Sequence, residues 1–218
     1  MPNRVPCGKF TVYYHQGFNG RSQPLEMMLV ATKADWVRKP WAELQDPTCF
    51  AAPAVAHDQT GKVVSQTTAA AQWLGTELMF SPPTGLRAEG LKMALDIADL
   101  WSEAYGIRKS AKSWEEIDAA LGGRIKKFFM VLEACATKYG KGYMVGDKPT
   151  YVDFCLLNVL ITCEFMFGKE RMVTVLADTP KVAAACAGVL ALPGVEECKN
   201  GCCVLYPSIA AAGKMPFA

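Results

Sequence analysis

The sequence predicts an α/β domain in residues 1–82, followed by an all-helical domain in residues 85–218. Short runs of β-branched and aromatic residues alternate with amphipathic helical segments as far as about residue 80. Two prolines and a glycine in residues 81–85 then interrupt the chain, and apolar residues at helical spacing follow. With 218 residues, the chain is long enough for two domains that each bury a core.

The first domain begins with a predicted strand in residues 10–14, where the β-branched and aromatic run Phe-Thr-Val-Tyr-Tyr occurs. The turn formers in residues 16–20 end this strand. Ser22 is expected to cap the next helix, which tolerates Pro24 in its first turn. The apolar residues of this helix recur at helical spacing, so one of its faces is expected to pack against the sheet.

The rest of the first domain is predicted as strand, irregular segment, hairpin and helix. The second strand lies within residues 33–51, and residues 54–56 and 62–64 flank a turn that contains a glycine. The closing helix covers residues 69–74, and Gly75 is expected to end it. The predicted order is therefore β-α-β-β-β-α, an α/β unit of about the minimum size for a sheet covered by helices.

The second domain is predicted to contain helices only. Two of them are marked by apolar stripes, which consist of Leu91, Leu95, Ala98 and Trp101, and of Leu121, Ile125, Phe128, Phe129 and Leu132. A third helix begins at Thr150, and a fourth covers residues 181–190. Thr150 and Asp153 have the spacing of a capping box, in which each side chain satisfies a free backbone amide, and the cap contributes about 1 kcal/mol.

Charge and hydropathy exclude several classes of function. The formal net charge is +2, and no run of Lys and Arg carries interleaved aromatics, so nucleic acid and anionic membranes are not expected partners. Residues 1–9 are polar and contain two prolines, so a secretion signal is not expected. No apolar stretch is long enough for a membrane span.

The nine cysteines are scattered and follow no framework of regular spacings. In a chain without an export signal, this favours free thiols in a reducing compartment, so a cytoplasmic protein is expected. The only cluster is Cys198, Cys202 and Cys203, and both histidines lie far from it in sequence, so no metal site is expected. Most cysteines are expected to be small buried residues, with a few exposed thiols in the tail.

Three features of the first domain together indicate a ligand site. Tyr13 and Tyr14 end the first strand, where a hydroxyl can point into the crevice in which α/β proteins bind ligands. Pro53 stands just before a strand, and residues 65–67 (Ser-Gln-Thr) open a helix whose amides could bind a carboxylate. Each feature alone also fits ordinary strand packing, a strand start or simple helix capping.

The order and spacing of these features resemble the glutathione transferase superfamily, especially its tyrosine-type members of the sigma and mu kind. The resemblance extends over nearly the whole chain. It implies a thioredoxin-like glutathione-binding domain, followed by an all-helical domain that receives a small hydrophobic electrophile. Residues 11–15 and 19–21 are similar to the family's first strand and its Gly-Arg loop, which places Tyr14 in the catalytic position. The loop is one residue longer than the family pattern, so Tyr13 stays the alternative.

The resemblance also implies the residues that bind glutathione. They are Trp41, Gln45, Ala52, Pro53, Gln66 and Thr67. In the family, backbone next to a cis proline pairs with the cysteinyl part of the peptide, and the Gln-Ser element holds the γ-glutamyl carboxylate. This chain departs from the family pattern at three of these places, because alanines replace a glutamine before Pro53, Gln45 stands where a lysine often occurs, and Thr67 replaces serine.

The implied chemistry is attack of the glutathione thiolate on the electrophile, with glutathione as the co-substrate. Tyr14 is expected to donate a hydrogen bond to the sulfur, and Arg21 to support a positive field, although Arg21 also fits a surface arginine. The electrophile is expected between Tyr14, the loop at residues 16–19 and the first helix of the second domain. The residues of that helix expected to line it are Trp101, Tyr105 and Ile107.

The second domain agrees with the resemblance. Residues 143–154 are similar to the family's Gly-x-x-x-Thr-x-x-Asp-Phe segment, and residues 95–99 to the helix that forms the dimer interface of sigma-like members. A homodimer is therefore implied. Glu103 falls near the position from which an acidic residue reaches the glutathione of the other subunit, and it fits a solvated helix face equally well.

Other functions remain open on the sequence alone. A glutathione-dependent isomerase or synthase of the sigma type would use the same residues in the first domain. A non-catalytic glutathione-binding relative ranks lower, because the strand-end tyrosine and the Gln-Thr pair are both in place. A glutaredoxin-like thiol enzyme would need a cysteine at the helix N-terminus after the first strand, and Cys7 precedes that strand.

Overall fold

The computed structural model describes residues 8–17 and 20–200, without the side chains of residues 199 and 200. The strands are β1 (Phe10–Tyr14), β2 (Trp36–Pro40), β3 (Ala54–His57) and β4 (Val63–Ser65). The helices are α1 (Gln23–Ala31), α2 (Thr67–Glu77), α3 (Arg87–Ser110), α4 (Trp114–Ala120), α5 (Lys126–Tyr139), α6 (Tyr151–Phe167), α7 (Lys169–Leu176), α8 (Pro180–Leu190) and α9 (Val195–Asn200). Phe18 and Asn19 of the predicted loop, and Cys7, Cys202 and Cys203, lie outside the described residues.

The four strands form one mixed sheet in the order β2-β1-β3-β4. β1 pairs in parallel with β2 and antiparallel with β3, and β3 pairs antiparallel with β4. Phe10, Val12 and Tyr14 face the protein interior, because alternate residues of a strand point to opposite faces. The predicted β-α-β-β-β-α order and the change to helices beyond residue 86 are confirmed. The domain limits at residues 82 and 85 stay a prediction.

Ser22 stands at the N-cap position of α1, as predicted, but its side chain does not cap the backbone. Its hydroxyl donates to Glu26 Oε1 at 2.8 Å instead. Both residues are buried, so the hydroxyl compensates a carboxylate that has lost its water. Pro24 lies in the first turn of the helix, where its missing amide costs nothing.

The prediction that Gly75 ends the helix of residues 69–74 is wrong, because α2 continues to Glu77. A Cβ atom at Gly75 would lie 3.0 Å from the Tyr151 Cβ atom and 3.3 Å from the Phe80 carbonyl oxygen. The glycine therefore permits close packing of α2 against the start of α6, and it has no role in ending the helix.

The prediction of a buried apolar stripe on α3 is wrong for the first two residues of that stripe. Leu91 is only half-buried and Leu95 is 50% exposed, whereas Met93 and Ile97 are buried. Two apolar rows at helical spacing run along this helix, and the row that faces α6 is the one that becomes core. The stripe predicted on α5 and the turn before it is buried as expected, apart from the half-buried Phe128.

Helix α6 is the central element of the core. Of its 17 residues, 15 are buried, and the helix packs against α1, α2, α3, α7 and α8. Thr150 and Asp153 form the predicted capping box at its N-terminus. The Asp153 carboxylate accepts from the Met144 amide at 2.7 Å, and from the amide and hydroxyl of Thr150 at 2.8 Å each. Burial raises the pKa of Asp153 to about 6, against the lowering effect of these hydrogen bonds.

Three expectations about absences concern the described residues. Within residues 8–17 and 20–200, no helix is long and apolar enough to cross a membrane. No group of three or more metal-ligating side chains occurs in the same ranges. The cysteines that the structure describes are free thiols, and Cys155, Cys163 and Cys186 among them are buried.

We expect Asp153→Ala to lower the free energy of unfolding by about 3–5 kcal/mol, because three donors in the core lose their acceptor. Urea unfolding followed by circular dichroism measures the loss. Asp147→Ala serves as the control, since Asp147 is exposed and its replacement should cost at most about 0.5 kcal/mol. A loss for Asp153→Ala no larger than that of the control would contradict the role of this carboxylate.

Candidate functional site

The candidate site lies at one end of the sheet, where four predicted segments stand side by side. Tyr14 at the end of β1 pairs with Pro40 of β2 on one side. On the other side, the pairing of Tyr13 with Ala54 places Tyr14 next to Pro53. The Gln66 amide donates to the Pro53 carbonyl at 3.1 Å, which extends the row to the start of α2. The strand register alone therefore brings distant parts of the sequence together at one end of the strands, which we call the site edge.

Tyr14 lies inside this edge and is only 2% exposed. Its hydroxyl oxygen accepts a hydrogen bond from the Arg21 backbone amide at 3.0 Å. Because this amide occupies a lone pair of the oxygen, the hydroxyl proton points elsewhere. Tyr13 faces the opposite side of the sheet and is half-buried. Of the two tyrosines, Tyr14 is the one that meets the loop carrying Arg21.

The Arg21 side chain turns away from Tyr14, towards the helical domain. Its Cζ atom lies 4.2 Å from the centroid of the Trp101 ring, and Nη2 donates to Ser102 Oγ at 3.2 Å. The positive field expected from Arg21 stays a prediction. The backbone amide contacts the tyrosine, and the guanidinium joins the first domain to α3.

A second arginine, which the sequence analysis did not single out, lies against the Tyr14 ring. Arg38 Cζ is 5.5 Å from the ring centroid, and Arg38 Nη2 donates to the His15 carbonyl at 2.7 Å. Arg38 pairs with Val12 in the sheet, so the two-residue period places it on the same face as Tyr14. The residues of β2 (Trp-Val-Arg-Lys-Pro) do not alternate between apolar and polar types, so no sequence pattern marked Arg38 as a site residue.

Arg38 is held by the buried carboxylate of Glu26 on α1, with 3.4 Å between Arg38 Nη1 and Glu26 Oε1. Burial raises the pKa of Glu26, while the charge of Arg38 and the Ser22 hydroxyl lower it. The Glu26 side chain is 4% exposed, so its charge depends on these two partners. The pair fixes a positive charge beside the tyrosine ring.

The start of α2 combines a strained backbone with a buried hydroxyl. Gln66 is a non-glycine residue with φ of +71°, a conformation that costs about 1–3 kcal/mol and is typical of functional sites. Its own side chain is exposed. The Thr67 Oγ1 atom is buried and has no hydrogen-bond partner among the described residues. A hydroxyl and helix amides at one point are suited to binding a carboxylate.

The other residues predicted to bind glutathione follow β2 or precede β3. Trp41 begins a short 3₁₀ turn (Trp41–Glu43) directly after Pro40 and is half-buried. Gln45 follows this turn and is exposed. Ala52 is half-buried and precedes Pro53 through a cis peptide bond. The cis proline that the resemblance implied is therefore present.

The helical-domain residues predicted to line the electrophile site are only partly grouped. Trp101 is buried, and its ring stacks on that of Tyr105 with 5.4 Å between the centroids. Ile107 lies two residues after Tyr105, so the helix turns it away from this pair. Glu103 Oε1 forms an ion pair with Arg124 Nε of the same chain at 3.0 Å. Its contact with a second subunit stays a prediction.

A small cavity of about 30 Å³ lies where α1, α2, α3 and α6 meet. Its walls include Arg21, Thr67, Trp101, Cys155 and Asn158. Besides Thr67 Oγ1, the buried atoms Trp101 Nε1 and Asn158 Oδ1 have no hydrogen-bond partner in the described part of the chain. A volume of this size holds about two water molecules, which could satisfy such groups.

Comparison with known proteins supports the resemblance. Residues 96–198 match the family model described as "Glutathione S-transferase, C-terminal domain". No curated protein matches the chain. Among solved structures, the glutathione transferase of Ascaris lumbricoides has a TM-score of 0.69 at 17% identity, with 87% of this chain and 95% of that chain covered. The chain has the glutathione transferase fold.

Two further structures show the same likeness. A transferase of the nematode C. elegans has a TM-score of 0.68 at 19% identity, with 92% of this chain and 99% of that chain covered. A glutathione transferase of the hookworm Necator americanus, described as monomeric, has a TM-score of 0.68 at 17% identity, with 87% and 95% covered. At these identities the structural matches establish the fold, and the chemistry rests on the residues of this chain.

We expect Arg38→Met to lower the free energy of unfolding by about 2–3 kcal/mol near neutral pH, because it leaves the Glu26 carboxylate buried without its cation. The pKa of Glu26 is already above its ordinary value in the folded protein, and the variant should raise it further. A raised folded-state pKa means that the deficit shrinks as the pH falls towards 4.5, where the folded protein binds a proton that the unfolded chain does not hold.

Urea unfolding of the wild type and Arg38→Met near neutral pH and at about pH 5 measures this change. The double variant Glu26→Gln/Arg38→Met is the control, because it has no carboxylate to titrate at this position. An equal deficit of Arg38→Met at both pH values would contradict the proposed dependence of Glu26 on Arg38.

Proposed function

We propose that this protein is a glutathione transferase of the tyrosine type, in which Tyr14 stabilises the thiolate of bound glutathione. The observation that carries the proposal is the hydrogen bond of 3.0 Å from the Arg21 amide to the Tyr14 hydroxyl, at the edge where cis-Pro53 and Gln66 also stand. The glutathione transferase fold and the family match over residues 96–198 support it.

Glutathione would lie along this edge as an extended peptide. The backbone beside Pro53 would pair with its cysteinyl part, and Trp41 would contact the other end. The γ-glutamyl carboxylate would bind at the start of α2, where the first backbone amides of the helix lack partners within the helix. The length of glutathione fits the width of this site. Three neighbouring strands span about 10 Å, and a tripeptide of extended residues is about as long.

Tyr14 would act on the protonation of the glutathione sulfur. A free cysteine thiol has a pKa of about 8.5, so only a few per cent of it is ionised at neutral pH. Lowering this pKa by two units needs about 2.7 kcal/mol of differential interaction. One hydrogen bond from Tyr14 to the thiolate supplies part of this. The Arg38 guanidinium favours the same charged form, although the Glu26 carboxylate offsets part of its positive charge. The Arg21 amide polarises the tyrosine hydroxyl as a donor.

In the reaction, the glutathione thiol first loses its proton to solvent. The thiolate sulfur then forms a bond to an electrophilic carbon, and a leaving group departs with its electron pair or a double bond opens. The stacked pair Trp101 and Tyr105 would provide an apolar wall for a small hydrophobic electrophile. Such a reaction removes reactive compounds from a cell, which makes detoxification the proposed role.

A homodimer is the proposed assembly. Leu95 on α3 is 50% exposed, and Met130 and Val131 on the neighbouring helix α5 are 42% and 40% exposed. Large apolar side chains on adjacent helices are typical of a surface that a partner covers. The hookworm relative is described as monomeric, so the fold does not settle the assembly, and the apolar residues of this chain carry the proposal.

The proposed location is the cytoplasm. The cysteines that the structure describes are free thiols, and three of them are buried. Free thiols persist in a reducing compartment.

We expect Tyr14→Phe to reduce the conjugation of glutathione to a chlorinated nitroaromatic by roughly 10- to 100-fold at neutral pH, because the thiol loses its hydrogen-bond donor. Glutathione binding, measured by calorimetry, should persist. Tyr13→Phe is the matched control, since Tyr13 lies on the opposite face of the sheet.

A loss confined to Tyr13→Phe would move the catalytic role to that residue. Glutathione binding by the wild type without conjugation of any electrophile would favour the isomerase, synthase or non-catalytic alternatives. A wild-type protein that does not bind glutathione would overturn the proposal.

We expect Leu95→Lys to shift the protein from dimer to monomer in sedimentation velocity, because a charge replaces an apolar side chain in the proposed interface. Val173→Lys is the control, since Val173 on α7 is 60% exposed and lies outside that surface. A wild type that sediments as a monomer would contradict the homodimer.

A further inference from the structure

Arg21 is bonded to both domains at once. Its backbone amide donates to the Tyr14 hydroxyl at 3.0 Å. Its guanidinium lies over the Trp101 ring at 4.2 Å and donates to Ser102 at 3.2 Å. Trp101 and Ser102 belong to α3, the first helix of the second domain. The residue thus forms a direct link between the tyrosine and the helical domain.

Two glycines with positive φ precede Arg21. Gly20 has φ of +44° and Gly17 has φ of +81°, a region that favours glycine. Glycine has more accessible conformations than other residues, so a loop built on it needs other contacts to hold one geometry. The regular helix α1 starts only at Gln23. The Gly20 carbonyl, which shares a peptide plane with the Arg21 amide, accepts a long hydrogen bond from the Gln23 amide at 3.3 Å, and the side-chain contacts of Arg21 are the second anchor of this amide.

Trp101 is suited to be such an anchor. It is 6% exposed, stacks on Tyr105, and lies on a helix that packs along α6. Its Nε1 atom is buried and has no hydrogen-bond partner among the described residues. The indole therefore contacts Arg21 through its ring face. Among the aromatic side chains, tryptophan attracts a guanidinium most strongly in this way.

We propose that Trp101 is a positioning residue for Tyr14. Trp101 holds Arg21 so that the Arg21 amide stays on the tyrosine hydroxyl, and this contact lowers the pKa of the bound glutathione thiol. This inference rests on the function proposed above. A residue of the helical domain thus changes the pKa of a thiol bound to the first domain, and it does so through a single arginine. Loosening the stack lets the amide leave the hydroxyl, and the tyrosine then becomes a weaker donor to the sulfur.

The test is a titration of the glutathione complex without any electrophile, followed by the ultraviolet absorption of the thiolate. We expect Trp101→Leu to raise the pKa of the bound thiol by roughly half a unit to one unit. Trp101→Phe keeps an aromatic face and removes only the unpaired indole N–H, so its thiol pKa should stay closer to that of the wild type. Ser102→Ala removes one hydrogen bond of Arg21 and should give a smaller shift.

A double-variant cycle separates positioning through Arg21 from a general loss of structure. Arg21→Ala should raise the thiol pKa at least as much as Trp101→Leu, and adding Trp101→Leu to Arg21→Ala should change it no further. With the chlorinated nitroaromatic, kcat/KM of Trp101→Leu should fall about three- to tenfold near neutral pH. The deficit should shrink at high pH, where the thiol is ionised in both proteins.

The outcomes distinguish this inference from the function it rests on. A wild-type complex that shows no thiolate absorption would overturn the proposed function itself. A wild type that ionises glutathione, with the same thiol pKa in folded Trp101→Leu, would overturn the positioning role alone. Additive shifts in the Arg21→Ala/Trp101→Leu variant would also overturn it, because Trp101 would then act independently of Arg21.

Discussion

Burial of helix α6 is the constraint on which both domains depend. The sheet of the first domain is covered by α1 and α2, and both of these helices pack against α6, as do α3, α7 and α8 of the second domain. The first backbone amides of a helix that is buried on all sides cannot donate to water, so they need acceptors within the protein. Asp153 meets that need, and it also fixes the preceding segment through the Met144 amide. The relative placement of the two domains follows from this shared helix.

The candidate site is a consequence of that placement, because its two halves lie on opposite sides of the boundary. The first domain contributes the sheet edge with Tyr14, Pro53 and the start of α2. The second domain contributes Trp101 and Tyr105 on α3. The small cavity between them keeps three polar atoms out of bulk water. Unpaired polar atoms are costly in a core, so their concentration at this boundary fits a functional region better than a purely structural one.

Much of the fold could be predicted because its signals are local. The strand of residues 10–14 and the capping box at Thr150 follow from residue type and spacing. The face of α3 could not be predicted, since two apolar rows satisfy the same period and only tertiary packing selects one. The sequence analysis predicted no helix at α4, α7 or α9, because these helices are short and rich in charge. For the site, sequence order pointed to Tyr14, but Arg38 and Glu26 come together only through the sheet and α1.

The amide that contacts Tyr14 belongs to Arg21, a residue that the sequence motif singled out for its side chain. Every residue except proline has a backbone N–H, so no pattern of side chains can show which amide meets a given hydroxyl. A pattern can show only the side chain that holds the amide in place. Arginine suits this task because its planar guanidinium stacks on an aromatic face and still donates from its edge, whereas lysine offers a single flexible charge. Arg21 uses this geometry on Trp101, with 4.2 Å between Cζ and the ring centroid, whereas Arg38 is the arginine that lies over the Tyr14 ring.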